Sequence, residues 1–432
     1  MKITNLKTNF LRVIFIFIFL VLLNGRSLLG VYLFGFRLGE ILTGFSIMLI
    51  MFIIYKYKFF ENNFNKRLIF SYFGLILYFV IINLINMENF LNLYLYKSSV
   101  FIWYISFLFF GMYIFNKIEI SKSYFIFGYV GLGLQFIFNV LYYPEFLTLF
   151  FNNFSDKTQF LKGSEIAIFF IVVTFFSNRL NKNGIFLDIF IVFSSFYIPL
   201  MFFKSRAGGI AIFIYFVIET IVHRKYFSIN LKKTFLLTIF FISSFTLSSF
   251  YILDYSLEFK KAPAAVEQVV KHKYVISNTY DDEVSLIFFR DGRFYSADGN
   301  FNWRLQLWQD VLFYTVDEEK VILGSGFSKK LPMFETQWYA GEDGLNENTH
   351  NFFINVYAKS GILGLTILLI FYYLLLKINK KQFNSTDLII FITPLFIISM
   401  FDGSMENPYF AIVFYFFLSS FFSGIKFKQE II

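Results

Sequence analysis

The sequence predicts an all-α, polytopic membrane protein of about 12 transmembrane helices with one large, mostly helical loop. Hydrophobic residues make up 57% of the chain and charged residues 16%, with a mean hydropathy of +0.62. Apolar runs close to the ~20 residues a helix needs to cross a bilayer recur from end to end. A single 97-residue hydrophilic stretch, 254–350, interrupts them. Backbone groups in hydrocarbon must be bonded within their own segment, and the runs lack the alternation of barrel strands, so helices are predicted.

The first run, 10–34, is punctuated by Asn24-Gly25-Arg26, which predicts a broken or partly interfacial helix. Its Phe10–Leu23 core follows Lys2, Lys7 and Arg12 as a signal peptide would, yet no small-residue cleavage site comes after it, so it reads as a retained span. Further spans fall at 39–55, 68–86, 98–115, 124–143, 163–179, 184–203, 206–222 and 233–253. Three more, at 359–376, 386–402 and 407–424, follow the polar stretch. The expected organisation is a membrane bundle over 1–253, a large loop over 254–350, and a surface helix with the last three spans over 351–432. All three belong to one integral membrane domain.

Charge then orients the chain. One set of ends and short loops holds 20 basic residues, from Lys2, Lys7 and Arg12 through Arg224, Lys225, Lys232 and Lys233 to Lys426 and Lys428. The alternating short loops hold only seven: Arg26, Arg37, Lys97, Lys157, Lys162, Lys204 and Arg206. Positive charge stays inside, so both termini are expected in the cytoplasm and the large loop in the periplasm, outside the inner membrane. The net charge of +9 divides into −6 for the loop and +15 for the rest. That basic balance is topological and lipid-facing and gives no reason to expect nucleic acid. With no Cys and three His (223, 272 and 350), no metal site and no thiol chemistry are expected.

Within the loop, Asn302–Leu312 carries apolar residues at 305, 308, 311 and 312, a helical spacing. Trp303 and Trp308 suit an interface. Arg304 reads either as a solvated or phosphate-pairing arginine or as a site residue. Gly324-Ser325-Gly326 predicts a tight turn without the Lys-Ser/Thr ending of a nucleotide loop. A turn-rich stretch, Gly341–Thr349, leads to His350. From Asn351 to Ala358 a short surface helix is expected, and Lys359-Ser360-Gly361 allows a bend before the next span. His350 is then either a helix-start capping residue or a proton acceptor at headgroup level. Lys204-Ser205-Arg206-Ala207-Gly208-Gly209 makes an external turn too short to carry its charge away from the membrane. Arg206 is an interfacial anchor or a guanidinium aimed at a phosphate.

Taken together these segments resemble the O-antigen ligase and polymerase superfamily of bacterial surface-glycan enzymes. His350-Asn351 followed by Gly361 and Gly364 is similar to the ligase pattern of His, a small polar residue, nine residues, Gly, two residues and a small residue. Arg206 in Ser-Arg-Ala-Gly-Gly is similar to the family's short-loop arginine, and Arg304 in Trp-Arg-Leu-Gln-Leu-Trp to its large-loop arginine. Gly-Ser-Gly-Phe and Asp402–Pro408 resemble family features as well. The resemblance implies inverting, metal-independent glycosyl transfer without a cofactor. Its donor would be an undecaprenyl-pyrophosphate-linked glycan, and its acceptor a hydroxyl of lipid A-core or of a second lipid-linked glycan. Arg206, Arg304 and His350 are the implied catalytic residues. Asn351, Asn348, Lys204, Trp303 and Trp308 are candidates for substrate binding. The competing class, a lipid-linked-glycan flippase, would place ionisable residues at mid-bilayer, whereas these gather on one face.

Overall fold

The computed structural model describes residues 2–56, 63–116, 122–155, 161–180, 184–259, 287–296, 298–340, 346–383 and 386–423. Its architecture is all-helical, with two small antiparallel ribbons. In chain order the helices are α1 (Lys2–Leu29), α2 (Leu38–Lys56), α3 (Asn63–Ile85), α4 (Leu93–Ser98), α5 (Val100–Tyr104), α6 (Ser106–Phe115), α7 (Lys122–Val140), α8 (Glu145–Phe154) and α9 (Gly163–Leu180). They continue with α10 (Ile185–Lys204), α11 (Arg206–Val222), α12 (Arg224–Ile229), α13 (Leu231–Phe259), α14 (Gly299–Asp317), α15 (Gln337–Ala340), α16 (Phe352–Phe383), α17 (Asp387–Phe401) and α18 (Pro408–Leu418). β1 (Tyr32–Leu33) pairs with β2 (Phe36–Arg37), and β3 (Ile287–Arg290) with β4 (Arg293–Ser296).

Apart from 98–115, each apolar run expected to span falls largely on a single helix. Among the described residues four helices are long and apolar enough to cross a membrane by themselves: Lys66–Ile85, Ile185–Lys204, Leu231–Ile252 and Phe352–Gln382. The bent pair Tyr124–Val140 and Glu145–Phe154 makes a fifth if it is one span. Shorter apolar helices account for 13–29, 38–52, 100–115, 387–401 and 408–422. α9 and α18 run through the centre, with almost every side chain buried from Ile166 to Phe176 and from Tyr409 to Leu418. Aromatic rings fill the space between them: Phe176 lies 5.4 Å from Phe417, and Phe115 lies 5.0 Å from Phe416. Such pairs meet tilted or edge-on, as their quadrupoles prefer.

The breaks in the helices fall where glycine permits them. α1 is interrupted at Gly25, with φ 54°, as its Asn-Gly-Arg sequence predicts. α16 is interrupted at Gly361, with φ 62°, so a segment 352–360 precedes the long span, as expected. The expected span 98–115 is instead divided into α5 and α6. The loop helix is longer than its periodicity suggests, 299–317, because Asp298 caps it: its carboxylate accepts from Phe301 N at 2.8 Å. The loop also holds the β3–β4 ribbon, which no helical periodicity announces. α13 runs six residues past the expected loop boundary, to Phe259. His272 and Gly341–Leu345 lie outside the described residues.

At the far end of α9 from the loop, Arg179 binds Glu219 through two bonds of 2.8 Å, Asp387 at 2.7 Å and His223 at 2.7 Å. This buried network ties α9, α11 and α17 together. His223 and Glu219 are occupied there as structural partners.

Candidate active site

His350 is positioned by its neighbours on both sides. Asn351 Oδ1 accepts from Ile354 N at 3.1 Å, capping α16 and leaving His350 just outside the helix. His350 itself has φ 53°, a left-handed conformation that is uncommon for a residue with a Cβ. The peptide before it is held by Trp308, whose Nε1–H donates to Thr349 O at 2.7 Å. Two residues further back Glu347 is clamped between Lys97 at 2.7 Å and Lys330 at 2.8 Å. Burial opposes its charge, but the bonds and charges of those two lysines hold its carboxyl below the usual carboxylate range. Strain of this kind persists only where surrounding contacts enforce it, and it concentrates at functional sites.

The imidazole of His350 meets the Trp303 ring edge-on at 5.4 Å. Burial first, then the positive charges of Arg304 and Lys162, lower its pKa to about 4, against the pull of Asp402. The ring is therefore neutral at pH 7 and able to accept a proton. Arg304 is half-buried on α14, and its Nη1–H donates to Phe401 O at 2.7 Å. Its Nε is withdrawn from solvent and has no hydrogen-bond partner among the described residues. No carboxylate lies within ion-pair distance of it among the described residues; Asp402 and Asp298 act on it only through space. A guanidinium desolvated without a paired anion is costly, which suits a site that an anion completes.

Arg206 opens α11, where Ser205 caps the helix, and it extends into solvent to pair with Asp298. Asp298 is the cap of the helix that carries Arg304, so the structure links Arg206 to Arg304 through one carboxylate. It gives no direct contact between Arg206 and His350. Lys204 closes α10 half-buried, next to that cap.

The proposed substrate-binding residues are mostly engaged with the protein itself. Asn351 is the helix cap. Trp303 Nε1 donates to Trp338 O at 3.0 Å, and Trp308 rests on Phe401 at 6.0 Å while bonding Thr349. Trp303 packs on the His350 ring and Trp308 holds the peptide before it. Asn348 lies over Gly403, where a Cβ would stand 3.6 Å from Asn348 Nδ2 and 3.5 Å from Glu406 Oε2.

Two site residues, Asp402 and Glu406, were not singled out by the sequence. Asp402 belongs to the Asp402–Pro408 string already noted, but nothing in the string says which of its acids faces His350. Its Oδ2 accepts from Ser164 Oγ at 2.8 Å. Glu406 accepts from Asn355 Nδ2 at 2.5 Å, and burial raises its carboxyl pKa to about 8. Glu165, which its place in the sequence offers as a helix-end charge near the headgroups or as lining of an external lipid-entry cleft, accepts from Arg26 N at 3.0 Å and pairs with its guanidinium at 3.5 Å. These acids come from α9 and from the turn before α18, and only the packing of those two distant segments brings them together.

This constellation has a neutral imidazole, a guanidinium with no carboxylate in ion-pair reach among the described residues, and further cations, all at the loop end of an apolar bundle. The chain that carries it has helices long and apolar enough to cross a membrane. Residues 189–369 match the sequence model of the family described as O-antigen ligase, which supports the O-antigen ligase superfamily for this chain and indicates a membrane enzyme of O-antigen ligase or polymerase type. The match takes in Arg206, Arg304, His350, Gly361 and Gly364; Asp402 lies beyond it. No curated protein matches the chain.

Proposed function

We propose that this protein is an O-antigen ligase-like glycosyltransferase, working at the periplasmic face of the inner membrane. It would move a glycan from undecaprenyl pyrophosphate to an acceptor hydroxyl, that of lipid A-core. The observation that carries this reading is the unpaired, desolvated Arg304 beside a neutral His350. In the transfer the acceptor oxygen attacks the anomeric carbon and forms the new glycosidic bond. The bond from that carbon to the pyrophosphate oxygen breaks, and its electron pair leaves with the pyrophosphate. The hydroxyl proton passes to the imidazole of His350, and from there to solvent or to the departing phosphate.

Charge builds on the pyrophosphate as the bond breaks, and donors fixed in a partly desolvated site stabilise it best. Arg304 supplies an Nε–H without a partner. Arg206 reaches the phosphates by exchanging Asp298 for them. Asp402 faces His350 and stabilises the imidazolium formed in transfer. An imidazole with a pKa near 4 is a weak base, since general bases work best near the operating pH. A bound pyrophosphate offsets the charge of Arg304 and Lys162, raising that pKa when the donor is in place. Inversion follows from a single displacement. The donor brings its own bond energy, so this chemistry calls for no nucleotide and no metal.

The protein in proteoliposomes, given polyprenyl-pyrophosphate-linked glycan and lipid A-core, is expected to transfer the glycan in the presence of a chelator. His350→Ala and Arg304→Lys are expected to lose transfer by ~100-fold or more, the scale of a general base or of an oriented charge donor. Full activity of His350→Ala would remove the base from the mechanism. Transfer only to a second lipid-linked glycan would make the protein a polymerase.

A further inference from the structure

We propose that the β1–β2 hairpin and helix α8 form an interfacial platform, seated in the headgroup boundary of the bilayer on the side where the site opens. The two elements are joined: Val31, just ahead of β1, bridges antiparallel to Ser155, just after α8. A cleft of about 250 Å³ between them is lined by Tyr32, Asn153, Phe154 and Ser155. Both belong to the site's end of the bundle. The hairpin follows Arg26, which pairs with Glu165, and α8 precedes Lys162, whose charge acts on His350.

Three observations select the bilayer interface as the occupant. First, α8 turns 85° from α7, so if α7 is a span, α8 lies along the membrane plane. Second, α8 is amphipathic. Phe146, Phe150 and Phe154 repeat every fourth residue, whereas Glu145, Thr148 and Asn152 occupy the opposite side. Phe151 alone is fully buried, and the phenylalanine stripe is exposed. A short amphipathic helix with that pattern lies in the interface with its apolar face down. Third, the hairpin tip presents Phe34, 98% exposed, with φ 55°. A bulky side chain held in the left-handed region and wholly uncovered is explained by an apolar medium around it. α7, which leads into α8, also exposes apolar side chains, Ile126, Phe127, Val130, Leu134 and Ile137 among them, so a bilayer around α7 would reach the platform. Its seat would fix the depth of the site: close to the headgroups, within reach of a lipid phosphate.

The inference does not depend on the chemistry proposed above, and its test needs no substrate. The chain contains no cysteine, so Phe34→Cys and Phe150→Cys each introduce a unique thiol. Each variant is labelled with an environment-sensitive fluorophore and reconstituted in phosphatidylethanolamine–phosphatidylglycerol vesicles. Blue-shifted emission is expected, quenched more strongly by lipid nitroxides near the headgroup than by nitroxides at the acyl-chain end, and hardly by iodide. Stronger quenching from the acyl-chain end would make α7 and α8 a re-entrant loop and overturn the platform. Iodide quenching equal to that of the free dye would place both elements in water and overturn it as well. If Phe34→Cys does not fold, Phe150→Cys, exposed on a helix, carries the same test.

Discussion

At the scale of single residues, the site depends on two groups whose protonation is set by burial. His350 is held at about 4 by desolvation and by Arg304 and Lys162, well below the ordinary 6.5. A base fails when it is protonated, so activity is lost as pH falls through that value. In the free enzyme the acid limb of kcat/KM should lie near pH 4. In the donor complex, where pyrophosphate offsets the cations, the limb of kcat should lie at higher pH. Coincident limbs near 6.5 would mean that His350 is not buried beside Arg304. Glu406, in the turn before α18, behaves oppositely: burial raises it from 4.5 to about 8. Between those values the unfolded chain has lost the proton that the folded chain keeps, so stability falls as pH rises from 4.5 to 8. Glu406→Gln should therefore unfold at a higher temperature than the wild type at pH 8, with the gap closing towards pH 5. A constant gap would show that the carboxyl ionises normally in the fold.

At the scale of elements, the two glycine signatures of the sequence prove to be one device. Ser325 N donates to Ala358 O at 2.9 Å and Gly326 N to Lys359 O at 3.0 Å, so the Gly-Ser-Gly turn docks on the broken part of α16. Ile362 N in return donates to Val321 O at 2.9 Å. Gly361 makes this close approach possible; a Cβ there would run into the Ile322 carbonyl at a positive φ. Gly361→Ala should lose more than the ~1–2 kcal/mol of a left-handed alanine, because the carbonyl clash adds to it. Thermal unfolding in detergent reads the loss; an unchanged midpoint would contradict the docking. The spacing from His350 to Gly361 was legible in sequence as a motif. Its physical meaning, a largely buried segment pinned by a turn from the loop, was not, since hydrogen bonds between residues 325 and 358 leave no local periodicity. The break at Gly25 and the segment 352–360 were legible because glycine and the adjacent polar residues are local signals. The division of 98–115 and the β3–β4 ribbon were not, because packing decides them.

At the scale of the whole molecule, the apolar runs and the loop marked out the helical architecture, for hydropathy is a property each segment carries by itself. The site was only half legible. His350, Arg304 and Arg206 stand beside recognisable neighbours in the chain. Asp402 and Glu406 reach the same mouth from the turn before α18, and their role exists only once that turn packs against the loop. Both halves bear on the proposed function, transfer of a lipid-linked glycan with His350 as the base. The most direct measurement is a gel of surface glycans from a clean deletion strain, complemented with the wild-type protein or with His350→Ala. Naked lipid A-core is expected in the deletion and in the His350→Ala strain, with long polymer retained on undecaprenyl pyrophosphate, and a restored ladder with the wild type. An unchanged ladder in the deletion strain, or full restoration by His350→Ala, would contradict it.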